Sequence, residues 1–193
     1  MDTSYLQKSE LDKIGIKRYG RNVLISRKAS IYSPDKITIG DNVRIDDFCI
    51  LSGNIGIGSY VHIAAYSALY GQEDKITIGD FSGLSARVSI YAFSEDYVFG
   101  SSLTNPTIPD EFKTKIDKGP VTLEKHVVVG VGTVILPDTI IETGAAIGAL
   151  SIARGKLEAW GIYRGNPAEL IGRRRSERIL QLEKELLRQH PKT

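Results

Sequence analysis

The sequence predicts a mainly β chain, wound as a solenoid of short strands with three faces. Three observations predict it. Aliphatic residues recur at every sixth position, at Ile39, Ile45, Leu51, Ile57, Ile63 and Leu69. After a pause the same beat returns at Ile78, Leu84 and Ile90, and again at Leu123, Val129, Ile135, Ile141, Ile147 and Ala153. Two residues before most of these stands a small or β-branched side chain, as at Val43, Cys49, Val61, Ser67, Ser82, Val88, Val127, Thr133, Thr139, Ala145 and Ser151.

A helix repeats every ~3.6 residues and a strand every ~2, so neither alone keeps a beat of six. A short strand followed by a corner does. Side chains alternate along a strand, which places the aliphatic residue and the one two before it on the same inward side. The Gly, Ala, Asp or Glu that follows, as at Gly40, Asp46, Gly58, Ala64, Gly79 and Gly130, is expected to tolerate the backbone angles of the corner. Three faces make a coil of about 18 residues, stacked on the next at roughly 4.8 Å. A sandwich would instead repeat its strands every ~8–12 residues.

The 193 residues read as one domain. Residues 1–20 are an N-terminal segment with a short helix near 4–15, residues 21–170 the prism, and residues 171–193 a C-terminal helix. In that helix Ile179, Leu180, Leu182, Leu186 and Leu187 share one stripe. Both helices are expected to cap the edge strands a solenoid leaves at its ends; the second could also dock on a neighbouring subunit. Two interruptions break the beat. Between Leu69 and Ile78 the step is nine, which predicts a bulge at a corner around Gln72-Glu73-Asp74. Between Ile90 and Leu123 the step is 33. The span 93–118 is therefore one long protruding loop, a functional lid on a rigid scaffold.

Hydrophobic residues make up 41% of the chain and charged ones 25%, a soluble globular balance. A net charge of +2 gives no argument for nucleic acid. No apolar run approaches ~18 residues, so no membrane span is expected. The N-terminus lacks an apolar signal core, and the single cysteine, Cys49, permits no internal disulfide. Together these predict a cytoplasmic protein. Cys49 occupies an inward position and reads as core.

The run "VVVGVGTVILPDTIIETGAAIGALSIARGKLEAWGIYRGNPAELIGRR" resembles the terminal coils of the left-handed β-helix hexapeptide-repeat acyltransferases, with their Gly-Asn-Pro-Ala signature at Gly165-Asn166-Pro167-Ala168. The resemblance spans residues ~20–175 and is nearest to the galactoside and maltose O-acetyltransferase branch and related surface-polysaccharide acetyltransferases. It implies a left-handed coil, a homotrimer, acetyl-CoA as donor, no metal, and sites in grooves between neighbouring prisms. The acceptor would be a hydroxyl or amine of a sugar or nucleotide sugar.

Acetyl transfer from a thioester needs a base for the acceptor, hydrogen-bond donors for the tetrahedral oxygen, and cations for the donor's phosphates. The family's base is a loop histidine, five residues past the last aliphatic position. Here that place is Glu95. Three arrangements would supply the need: Glu95 or Asp96, with a pKa raised by burial; His62, just before Ile63 and facing outward; or an amine acceptor that positioning alone suffices for. For the donor, Gly132, Ala149 and Leu150 would offer backbone to a pantetheine arm, and Arg154, Arg164 and the run Arg173-Arg174-Arg175 would meet its phosphates. For the acceptor, Tyr91, Tyr97 and Asn105 lie in or beside the long loop. Asn105 precedes Pro106, which predicts extended backbone. His126 reads as a turn residue, His190 as a tail residue, and Trp160 as packing beneath the segment that leads to the signature. A zinc hydratase of the γ-carbonic-anhydrase type would need three converging histidines, which His62, His126 and His190 supply poorly. A non-catalytic scaffold is the alternative that the missing loop histidine leaves open.

Overall fold

The computed structural model describes residues 4–96 and 99–190. They form a parallel β-helix with three faces. The first stacks residues 24–25, 44–45, 62–63, 83–84, 128–129, 146–147 and 162–163 in parallel register. The second stacks 30–32, 50–52, 68–70, 89–91, 134–135 and 152–153. The third stacks 18–19, 38–39, 56–57, 77–78, 122–123, 140–141 and 156–157. Each six-residue step carries the chain from one face to the next. The aliphatic column on every face is buried, with Ile25, Ile45, Ile63, Leu51, Leu69, Ile90, Ile135 and Leu123 fully enclosed.

The small inward residues are small because a corner's carbonyl lies beside them. Ser67 Oγ donates to Ser85 O at 3.1 Å, Thr133 Oγ1 to Gly148 O at 3.0 Å and Ser82 Oγ to Glu124 O at 2.9 Å. Each buried hydroxyl is thus matched to a backbone acceptor that the aliphatic column cannot reach. Cys49 follows the same pattern, its Sγ 3.2 Å from Ala64 O, and it is core as expected.

One expectation about the corners is corrected. The residue with left-handed backbone is not the one after the aliphatic position but the third after it: Asn42, Phe48, Tyr60, Tyr66, Phe81, Arg87, His126, Gly132, Gly144, Leu150 and Trp160 all have positive φ. Most carry large side chains, which pay ~1–2 kcal/mol each for that conformation. Stacking across coils offsets it. Tyr60 lies on Phe81 at 5.0 Å between ring centroids, Phe81 on His126 at 5.1 Å, and His126 on Trp160 at 6.2 Å. Phe48 stacks on Tyr66 at 4.9 Å at the next corner, under the Arg87 guanidinium. Glycine after the aliphatic residue serves close approach instead: a Cβ on Gly130 would sit 2.5 Å from Ala149 N in the next coil.

Gly144 leaves the slot through which Trp160 reaches His126, and a Cβ there would lie 2.3 Å from the indole. Gly144→Ala is therefore expected to displace the indole and cost about 1–3 kcal/mol. Trp160 is the only tryptophan, so its fluorescence should shift to the red. An unchanged spectrum and melting temperature would show that the slot is slack.

The ends differ from expectation in detail. Helix α1 spans Lys8–Ile14, shorter than the predicted 4–15, and buries Leu11 against the first coil. At the other end the last rung, Gly161–Arg164, is covered by an antiparallel return strand, Glu169–Arg173, so that strand and not the helix closes the edge. Helix α2, Glu177–Gln189, has no fully buried residue. It is pinned at the third-to-first-face corner. Glu183 accepts from Lys125 Nζ and lies 2.8 Å from His126 Nε2, while Arg174 donates to His126 O and Gly144 O. Burial works to raise the Glu183 pKa, but these hydrogen bonds outweigh it and hold it below the ordinary value. The predicted bulge at 72–74 is absorbed into a continuous strand, Ala68–Ile78, which bends where Gly53 faces Gln72.

Candidate functional site

Both interruptions fall at one corner, between the second and third faces. The long loop leaves it as a two-stranded arm, Phe93–Glu95 antiparallel to Ile116–Lys118. The arm's base is tied down by Ala92 N to Tyr70 O and Gly119 N to Ala92 O. Its return strand is tied to the prism by Arg154, whose Nη2 donates to Asp117 Oδ2 at 2.9 Å. Beyond the arm, the carboxylate of Asp96, only 6% exposed, folds the tip. It accepts the Ser101 hydroxyl and the backbone N–H groups of Phe99, at 2.8 Å, and Ser101, at 2.9 Å.

Two clefts flank the arm. The larger, about 750 Å³, is lined by Tyr91, Phe93, Leu103 and Pro106 and by the charged Glu95, Asp110, Lys113 and Lys115. The smaller, about 430 Å³, is lined by Glu95, Asp96, Lys115, Lys118 and Arg154. Tyr91 stacks on Tyr70 at 5.0 Å, and burial pushes its phenol pKa up. The Lys115 ammonium sits over the Phe99 ring at 3.3 Å.

The predicted site residues do not gather in one place. Tyr91, Glu95, Asp96 and Arg154 all line the clefts at the arm. Asn105 lies at the loop tip, where its N–H donates to Glu95 Oε2 at 2.7 Å. Its backbone is left-handed, φ 84°, not extended as Pro106 predicted; its own side chain, accepting from Thr107 N and Oγ1, holds the turn. Tyr97 lies outside the described residues. Gly132, Ala149 and Leu150 form a different corner, between the first and second faces, where Leu150 is 77% exposed and leans over Gly132. Arg164 ends the last first-face strand, and Arg173, in the return strand, pairs with Glu158 at 2.5 Å.

One expectation about bases is modified. Asp96 is buried, yet its pKa falls to about 2, because the Ser101 hydroxyl and then the two backbone N–H groups stabilise the anion. That is opposite to the rise a base near neutrality needs, and the three donors tie the carboxylate to its own loop. His62 is exposed on the first face, its Nε2 2.8 Å from Asp46 Oδ2, and Asp46 also accepts from Arg44 Nε at 2.6 Å. Burial works against the Asp46 anion, but His62 and Arg44 hold its pKa below the ordinary value. The sequence marked Asp46 only as a corner residue and did not mark Lys113. The cluster "FKTKIDK" was the only trace of the second, and solvated lysine runs look the same. Among the described residues no group of three candidate ligands could hold a metal ion.

A β-prism with one long loop arched over clefts at a corner is the architecture of the β-helix acyltransferases, and this chain is one of them. No family model matches the chain. It is 47% identical over 183 residues, 93% of each chain, to the dTDP-4-amino-4,6-dideoxy-D-glucose acyltransferase of Escherichia coli, and it belongs to that enzyme's family. AntD, an N-acyltransferase from Bacillus cereus solved with dTDP and 3-hydroxybutyryl-CoA, superposes with a TM-score of 0.93 at 48% identity, covering 97% of this chain and 98% of AntD. A second relative, WbbJ of Escherichia coli strain K12, named for O-acetyl transfer in lipopolysaccharide biosynthesis, is 29% identical over 156 residues, 76% of this chain and 74% of WbbJ.

Proposed function

We propose that this chain transfers an acyl group, acetyl or a longer one, from acyl-CoA to an amine or hydroxyl of a sugar or nucleotide sugar used in surface-polysaccharide or lipopolysaccharide biosynthesis. The observation that carries the reading is the near-complete superposition on AntD, a mutant of which was solved with dTDP-4-amino-4,6-dideoxyglucose and Coenzyme A. We read the chain as a single-domain, cytoplasmic homotrimer. Exposed Val128, Val131 and Leu150 offer an apolar surface for a second copy, and no helix among the described residues is long and apolar enough to cross a membrane.

Trimerisation also makes sense of the scattered site. Within one chain the arm and the Gly132–Leu150 corner are separate; a groove between copies would set the arm of one against that corner of the next. In this reading Gly132, Ala149 and Leu150 flank the pantetheine arm, and Arg154, Arg164 and Arg173 approach the donor's phosphates. Tyr91, Tyr97 and Asn105 lie by the acceptor. Glu95 and His62 are the candidate bases, and Asp96 fixes the loop that presents Glu95.

The test is thiol release from acetyl-CoA and 3-hydroxybutyryl-CoA with a panel of amino and hydroxy sugars, free and nucleotide-linked. Release should occur with at least one acceptor, from a protein sedimenting at three times 21.2 kDa. No release with any acceptor would overturn the reading.

A further inference from the structure

Independently of the acyl-transfer reading, we infer that the N-terminal end of the prism docks on an anionic lipid surface. Charge is segregated along the chain. Residues 1–45 carry nine Lys and Arg against five Asp and Glu, whereas residues 46–170 carry nine against fifteen. A net charge of +2 thus conceals a basic end beside an acidic body. Ion pairing sharpens the contrast. Among the described residues of that end, Glu10 pairs with Arg27, Asp12 with Lys8 and Asp41 with Arg21. Lys13, Lys17, Arg18 and Lys36 are exposed and form no ion pair, and Asp35 is the one acid there that is likewise unpaired.

The fold gathers these cations. Lys17 N donates to Pro34 O at 3.0 Å, which sets the Pro34–Lys36 turn beside Arg18–Tyr19, the end strand of the third face. A cleft of about 750 Å³ opens there, lined by Lys8, Lys17, Arg18 and Arg21 and by Asp12 and Asp41, with Ile16 and Ile39 in its walls. Both acids are engaged. Asp12 accepts from Lys8 and the Tyr19 hydroxyl, and Asp41 accepts from the N–H and the guanidinium of Arg21. Lys13 and Lys36 lie outside the cleft's lining, so a small anion seated in it would leave them unused; a bilayer's phosphates engage all four cations together. Tyr32, 58% exposed, precedes the same turn, and such rings settle at headgroup depth. The acidic body is repelled by the same surface, which orients the prism end-on. A second copy fits badly. Residues 171–193 carry seven Lys and Arg against three Glu, so either end of another copy would repel this one.

The experiment is cosedimentation of the full chain with phosphatidylcholine vesicles, with and without phosphatidylglycerol, across a salt series, with thiol release measured in parallel. Binding should require phosphatidylglycerol and fall as salt rises. Lys17→Gln combined with Arg18→Gln should weaken it about 25-fold, from roughly fivefold per cation at a lipid surface. Both side chains are exposed and unpaired, so the melting temperature and thiol release should not change. Lys184→Gln combined with Arg188→Gln, on helix α2, should leave vesicle binding as it is. No binding to the anionic vesicles, or equal losses in the two double variants, overturns the inference. The N-terminal cations would then only keep an edge strand from pairing with another chain. Retention on duplex DNA as strong as on vesicles would show a plain polyelectrolyte effect and overturn it too. So would saturable binding of inorganic pyrophosphate that the Lys17→Gln, Arg18→Gln variant loses, which would give the cleft to a soluble anion. Thiol release from a protein that ignores vesicles leaves the acyl-transfer reading standing. Vesicle binding without thiol release leaves this inference standing alone.

Discussion

Replacing Ile90 by alanine should destabilise the chain by about 2–5 kcal/mol, the cost of removing a large aliphatic side chain from a site that cannot collapse. Ile90 is fully buried and pairs in register with Leu69 on one side and Ile135 on the other. The rungs above and below are held by their own hydrogen bonds, so the cavity cannot close by sliding. In a chain of this size the loss corresponds to a fall in melting temperature of roughly 4–20 °C. It should also reach the site, because the arm begins at Phe93, directly after this rung. Ile90→Val, which removes one methylene, should cost only ~0.5–1.5 kcal/mol. The check is a thermal or urea melt of both variants beside wild type. An alanine variant that melts with the wild type would mean that the column is loosely packed and that the six-residue beat is not what stabilises the prism.

The second large effect is on activity. Asp96→Asn should lower kcat/KM by about 10²-fold, the penalty for misplacing a reacting group by around an ångström, and should also lower the melting temperature, because the stabilised anion is lost. The three groups that face the carboxylate all donate: Ser101 Oγ, Phe99 N and Ser101 N. An amide can accept only through its oxygen, and its NH₂ would confront a donor. The tip of the loop should therefore loosen, and Glu95, the preceding residue, with it. The pH dependence separates this role from that of a base. The folded-state pKa of Asp96 is about 2, below the ordinary 3.8. Its contribution is fully present above the ordinary value and is lost only as the pH falls through the folded value. The wild-type rate should thus show no acid limb between pH 5 and 9 that disappears in Asp96→Asn. Should such a limb exist and vanish with the substitution, Asp96 is a titrating base and its role as a tie within the loop is refuted.

The repeat was legible because a strand plus a corner imposes its period on every coil, and the period survives insertions. Ile39, Ile63 and Ile135 announce their burial by position alone. The corner chemistry was not legible. Tyr60, Phe81 and His126 adopt left-handed backbone against their intrinsic preference because rings from successive coils stack. Those partners lie 21 and 45 residues apart in the chain, beyond any local signal. The local rule pointed to glycine, and glycine sits instead where two coils approach most closely. For the site, a loop beginning after Ile90 could be read from the broken beat. That Asp96 would be pinned by its own turn could not, nor that Asn105 would take left-handed backbone before a proline.

By itself, then, the order of residues determined the prism, its faces and the corner from which the loop departs, since a side chain's inward or outward sense follows from strand alternation. Only the folded chain decided which charges in that loop are sheltered and which are solvated. Lys113 and Lys115 differ by two positions in sequence, yet one is tucked beside apolar walls and the other rests on a ring, because burial depends on what the rest of the chain brings alongside.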